Sequence, residues 1–159
     1  MHRFLILPLL AVASLAGCGP ASPEQIQRFT TEPGKEWRKQ VRLFRQRDMH
    51  HHAEVMVNGK PVHFLVDTGA TTIALTGDDA RALGFQWTKG ELEPVGRAAD
   101  SSIVIGKRVT LDHVKLGHIE AWDMRAAILP DMEGRSLLGQ NFMSHAQSIE
   151  LNNDEMILR

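Results

Sequence analysis

The chain has 159 residues, the length of one ordinary domain, and is too short for a two-lobed enzyme of about 300 residues. Eighteen Lys+Arg against nineteen Asp+Glu leave a net charge of −1 with His neutral, which excludes a basic field able to drive nucleic-acid binding. At 43% hydrophobic and 23% charged residues the composition is globular rather than disordered, and one cysteine, Cys18, cannot close an intrachain disulfide.

His2 and Arg3 form a short basic segment, followed by an apolar run from Phe4 to Ala16. That run is shorter than the ~20 helical residues needed to cross a bilayer, and reads as a secretory signal. Leu15-Ala16-Gly17-Cys18 resembles the bacterial lipobox. The resemblance implies a signal peptide over 1–17, lipidation of Cys18 and a lipid anchor to a membrane. Gly19 points to the outer rather than the inner membrane, on the periplasmic face of the bacterial cell envelope. Loss of 1–17 removes Arg3 and leaves a net charge of −2.

Residues 18–40 read as a polar tether, with Gly, Pro, Ala and Ser at its start. Residues 24–47 carry seven basic against three acidic side chains. The whole polar segment 19–47 fits a solvated linker, an arm lying on anionic headgroups, or a pro-segment covering a site. Trp37, Val41 and Phe44 have helical spacing while Val41, Leu43 and Arg45 alternate, so periodicity leaves this stretch open.

From residue 41 onward the signals are mostly strands, and 41–159 is expected to form one domain. Ala53 to Val57 and Pro61 to Val66 flank Asn58-Gly59, a type I′ hairpin signal, with Val55 and Val57 on one face and Val62, Phe64 and Val66 on the facing one. His50-His51-His52 precedes the first of these strands. Neighbouring residues of an extended chain point to opposite faces, so His52 is expected to open the strand and no metal site is expected. Thr76 to Leu83 reads as a helix, with Thr76 as N-cap, Asp78 and Asp79 in the first turn, and Gly84 as its stop. Ile103 to Ile105 is expected to end at Gly106. Val109 to Leu116 alternates up to Gly117, and Ile119 to Ile128 holds one or two further strands. Ile149 and Leu151, then Met156 and Leu158, flank Asn152-Asn153-Asp154 as a last hairpin. His63, His113, His118 and His145 fall in strands or turns, with no Gly-x-Ser-x-Gly serine to partner them.

The informative segment is Val66-Asp67-Thr68-Gly69-Ala70-Thr71. A carboxylate at the end of the apolar run Phe64-Leu65-Val66 is expelled from the core into a turn. Glycine lets backbone amides approach it, and threonine hydroxyls can hold the loop. Some seventy residues later comes Ser136-Leu137-Leu138-Gly139, two apolar residues and a glycine.

With Val57-Asn58-Gly59, Asp79-Ala80, Leu83-Gly84 and Leu116-Gly117, these motifs resemble the retropepsin-like aspartic proteases, over roughly His52 to Arg159. The resemblance implies an all-β fold, a closed β-barrel of the acid-protease half-lobe type, with one or two short helices. It implies an aspartic endopeptidase that needs no cofactor, with Asp67, Thr68 and Gly69 catalytic. Ala70, Leu137, Leu138 and Gly139 would pack behind the catalytic loop. Two facing aspartates would share one proton, since like charges ~3 Å apart cannot both ionise. The chain holds one Asp-Thr-Gly, and Asp100-Ser101-Ser102 lacks the glycine. The expected partner is therefore a second copy of the chain in a C₂ homodimer, with a peptide or protein as substrate and no nucleic acid. The family's flap falls on Arg97 to Ser102, with Ala99, Asp100 and Ser101 at its tip. Here the chain departs from the pattern, with no glycine at the tip and no tyrosine anywhere. That departure keeps a second reading open, a non-catalytic envelope lipoprotein using the barrel as a binding module.

Overall fold

A computed structural model describes residues 27–31, as backbone pairing, and residues 39–159. The expected signal peptide and the lipidation of Cys18 lie outside the described residues. Eleven strands are present among the described residues: β1 (Gln27–Thr31), β2 (Lys39–Phe44), β3 (His52–Val57), β4 (Lys60–Val66), β5 (Ile73–Thr76), β6 (Glu93–Arg97), β7 (Ile103–Leu116), β8 (Ile119–Leu129), β9 (Ser136–Leu138), β10 (Ile149–Asn152) and β11 (Glu155–Leu158). Two short helices accompany them, α1 (Gly77–Leu83) and α2 (Gln140–Met143).

Six strands close a barrel in the order β3-β4-β9-β5-β8-β7, and β7 returns to β3 through Met56 opposite Lys115 and Val57 opposite Val114. The turn between β3 and β4 uses Asn58 and Gly59 at φ 49° and 80°, the left-handed pair that a type I′ hairpin requires. Asn58 also seals the closure. Its amide donates to the His113 carbonyl at 2.8 Å, and its Oδ1 accepts from the His113 amide at 3.0 Å. The alternation of β3 and β4 puts Val55, Val57, Val62, Phe64 and Val66 into one core with Leu75, Leu111, Ile128 and Leu138. Burying each such side chain contributes about 1.5–3 kcal/mol. His52 opens β3, as expected.

α1 follows its local chemistry. Thr76 Oγ1 accepts from the Asp79 amide at 3.1 Å, and Gly84 ends the helix at φ 101°.

Within the segment expected as a tether, β1 pairs with β2, which pairs with β11, in a sheet ordered β1-β2-β11-β10. Val41 and Leu43 of β2 are fully buried in the same core as the barrel, so the alternating pattern there outweighs the helical one. One expectation is corrected: Gly106 does not end a strand. β7 runs through it for 14 residues, pairing with β6 before it and with β8 after it. A Cβ at Gly106 would run into the Ile128 carbonyl oxygen and lie 2.7 Å from Leu129 Cδ2, so glycine here permits close approach of two strands rather than a turn.

Candidate active site

Asp67 is the first residue after β4. Its amide bonds to the Leu138 carbonyl at 3.1 Å, which continues the parallel pairing of β4 with β9 by one step. The chain then leaves the sheet. Ala70 N–H bonds back to the Asp67 carbonyl at 3.3 Å, and Gly69 N–H donates to Asp67 Oδ1 at 2.8 Å. The carboxylate is thereby oriented by its own turn and is half-buried, while Thr68 and Gly69 are exposed.

What holds the turn is the strand inserted between β4 and β5. β9 runs parallel to β4 and pairs antiparallel with β5 through Leu137 opposite Ala74. Leu138 is fully buried and Leu137 half-buried. Gly139 then passes directly over the returning loop. A Cβ there would collide with the Thr72 carbonyl oxygen and lie 2.6 Å from its carbon and 2.9 Å from the Ala70 oxygen. No side chain fits between these backbones.

The residues after Gly139 finish the strapping, and sequence reasoning missed them. Gln140 N–H donates to the Ala70 carbonyl at 2.8 Å and its side-chain amide donates to the Thr68 carbonyl at 2.5 Å. Asn141 N–H donates to the Thr71 carbonyl at 3.0 Å, and its Nδ2 to the Arg125 carbonyl on β8 at 2.8 Å. Buried Ser136 adds a further tie, accepting from the Thr76 amide at 3.1 Å and donating to Asp79 Oδ2 at 2.5 Å. The only signal available was the polar pair straight after Leu137-Leu138-Gly139. The structure thus brings Asp67, Thr68, Gly69, Ala70, Leu137, Leu138 and Gly139 together in one crossing.

Ala99, Asp100 and Ser101 lie elsewhere, at the exposed tip of the hairpin formed by β6 and the first half of β7. The tip turns without glycine. Ser101 takes φ 69°, and Asp100 Oδ1 accepts from the Ser102 amide at 2.9 Å. Bonding to Ser102 holds the Asp100 carboxyl below its usual range. Exposed Ile103 and Ile105 lie two apart on the β7 arm, and so share a face. At the hairpin base Arg108 pairs with Glu93 and donates to the Pro94 carbonyl at 2.7 Å, while Lys107 pairs with Glu91 at 2.5 Å. That contact holds the Glu91 carboxyl down to about 2.

Among the described residues, no group of three His, Cys, Asp or Glu side chains is placed to hold a metal ion.

Residues 53–145 match the family described as "gag-polyprotein putative aspartyl protease". A crystal structure of a retropepsin-like aspartic protease from Rickettsia conorii superposes with a TM-score of 0.63 at 32% identity, covering 75% of this chain and 89% of that one. An uncharacterized protein of Rickettsia prowazekii (strain Madrid E) is 30% identical over 143 residues, which span 82% of this chain and 54% of the relative. An uncharacterized protein from the cobV 5′ region of a Sinorhizobium species is 28% identical over 138 residues, 83% of this chain and 57% of the relative. The chain therefore spans a little over half the length of the curated relatives it matches.

Proposed function

The chain belongs to the retropepsin-like aspartic proteases, and on that premise we propose that it is an aspartic endopeptidase working as a homodimer, with Asp67 of each copy facing the other. The observation that carries this reading is the crossing around Asp67. One carboxylate per chain is aimed by the Gly69 amide at the edge of a loop whose Thr68 and Gly69 are exposed. A single carboxylate can act as a base, but peptide hydrolysis of this kind needs an acid as well. A second copy supplies it across a two-fold axis. Two carboxylates so placed share one proton and titrate as a unit. The ionised one takes a proton from a water held between them, the water attacks the scissile carbonyl, and the protonated one polarises the carbonyl oxygen. The β6–β7 hairpin, with Ile103 and Ile105 exposed on one arm, covers the bound peptide.

In the same proposal the enzyme sits in the bacterial cell envelope, anchored through Cys18 with its barrel on the periplasmic side. Its substrates are then envelope peptides or proteins.

The test is cleavage of a diverse peptide mixture by soluble 19–159 beside its Asp67→Asn twin, from about pH 4 to 7, where a carboxylate pair changes state. Sedimentation of the same samples gives the oligomeric state. Cleavage by the first and not by the second is expected, in a dimer. Cleavage that survives Asp67→Asn would overturn the aspartic reading, and a silent strict monomer would give the chain to the binding-module reading.

A further inference from the structure

A cleft of about 550 Å³ opens beside the catalytic loop. Thr72 brings it to the end of that loop, and Val95 brings it to the base of the covering hairpin. Val109, Ala126 and Ala127 make its apolar walls. Two guanidinium groups also line it, and they are not equivalent. Arg108 is already engaged, paired with Glu93 and bonded to the Pro94 carbonyl. Arg125 is exposed, and among the described residues its guanidinium has neither a hydrogen bond nor an ion pair. Its backbone, by contrast, is fixed. Arg125 stands opposite Thr110 on β7, and its carbonyl is held by Asn141, whose own amide holds the Thr71 carbonyl. One asparagine therefore ties both the catalytic loop and the strand that carries the free cation.

We infer that this cleft is a substrate subsite for an acidic side chain, with Arg125 as the residue that selects it. The inference rests on the protease reading for its substrate, a peptide lying along the Asp67 loop. The chemistry is that of a planar five-donor fork, which matches a carboxylate in a bidentate pair. An exposed ion pair adds little in water. The same pair closed beneath the hairpin is screened less and discriminates more. The apolar walls suit the methylene stem of the incoming side chain, and the Thr72 and Thr110 hydroxyls can bond its rim. Because Thr72 lies beyond the Asp67 turn, the side chain chosen here stands away from the scissile bond. A two-fold dimer presents the subsite on both sides of that bond.

The test uses the full-length chain in detergent and paired synthetic peptides that differ only by Glu or Gln at one position, scanned along the peptide. Binding is measured on the Asp67→Asn form, cleavage on the form with Asp67. At one position or more the Glu peptide is expected to bind about tenfold more tightly than its Gln twin. The same ratio is expected in kcat/KM. Arg125→Gln brings the binding ratio to about one, and Arg125→Glu turns the preference toward Lys, with unchanged thermal melting as the check on folding. Equal binding of Glu and Gln peptides at every position overturns the inference, as does a preference that survives Arg125→Gln. Absence of cleavage with the binding preference intact removes the protease reading and leaves the acidic subsite standing.

Discussion

The loop at Asp67 and the hairpin tip at Asp100 are both tight turns carrying an aspartate, yet they are built in opposite ways. At Asp67 the turn is bound to parts of the chain some seventy residues away. Leu138, Gly139, Gln140 and Asn141 all press on or bond to residues 67–72. At Asp100 every bond that shapes the turn is local. Ala98 pairs with Ser101 and Ser102, Asp100 bonds Ser102, and Arg97 reaches the Ser101 carbonyl. A turn held by long-range contacts keeps one geometry, because changing it means opening the core. A turn held by its own residues can move as a unit on its two strands. The first suits a group that must aim a carboxylate, and the second a cover that must lift.

The strongest way to break this contrast is Gly139→Ala. The new Cβ meets backbone atoms of Thr72 and Ala70, which cannot rotate away as a side chain would. The expected loss is on the order of 3 kcal/mol, the range for overpacking a closed core, and with it any cleavage that depends on Asp67. Chemical denaturation beside a cleavage assay checks both. A stable and active Gly139→Ala protein would mean that the crossing is looser than its contacts require.

These two regions also differ in how much of them could be seen in the sequence. The hairpin at Asn58-Gly59, the Thr76 cap and the Gly84 stop were legible because each is decided by residues within a few positions. The Asp67 loop and its support were legible only as a resemblance linking Asp67-Thr68-Gly69 to Leu137-Leu138-Gly139. No periodicity says that β9 inserts between β4 and β5. Gln140, Asn141 and the free Arg125 were invisible for the same reason, since their meaning comes from partners distant in sequence. Gly106 was misread because a glycine that stops a strand and a glycine that lets two strands touch are identical in one dimension. Around residue 41 periodicity left helix and strand open, and the burial of Val41 and Leu43 decides for the strand.

A smaller effect should separate the two regions by pH. His51 is buried, its carbonyl accepts from the Val66 amide next to Asp67, and its Nε2 has no partner among the described residues. Burial first, then Arg45, His50 and His52, holds its pKa below the usual histidine value. Across the ring of His52 stands Asp48, at 2.8 Å. His118 is lowered in the same way, by burial and then by Lys39 of β2. Both histidines are thus disfavoured as cations in the folded chain, while the unfolded chain protonates them near pH 6.5. The unfolded state binds more protons as pH falls below that value, so stability is present above about pH 6.5 and is lost on the way down. The melting temperature is expected to fall between about pH 7 and 5, before Asp48, Glu91, Asp100 and Glu120 are protonated. His51→Gln with His118→Gln should flatten that window. A melting temperature that is level there in the parent protein would show that these imidazoles are free to charge. The hairpin contains neither histidine, so its protection against hydrogen exchange should follow pH only through global unfolding.

The smallest effect is expected at Ser101→Gly, and it tests the hairpin alone. Serine at φ 69° is a conformation that costs a non-glycine residue about 1–2 kcal/mol. Glycine removes that cost but gives the unfolded chain more freedom, worth up to about 1 kcal/mol in the other direction. The two nearly cancel, so stability should shift by less than about 1 kcal/mol, against several for Gly139→Ala. Because the hydrogen bonds that shape the tip come from residues 97–102, the substitution changes how readily the turn reshapes and leaves the carboxylate at Asp67 where it is. KM for a peptide substrate is therefore the quantity that should move, with kcat held. If kcat falls as far as it does in Gly139→Ala, the tip is coupled to the Asp67 loop and the division between a fixed loop and a mobile cover is wrong.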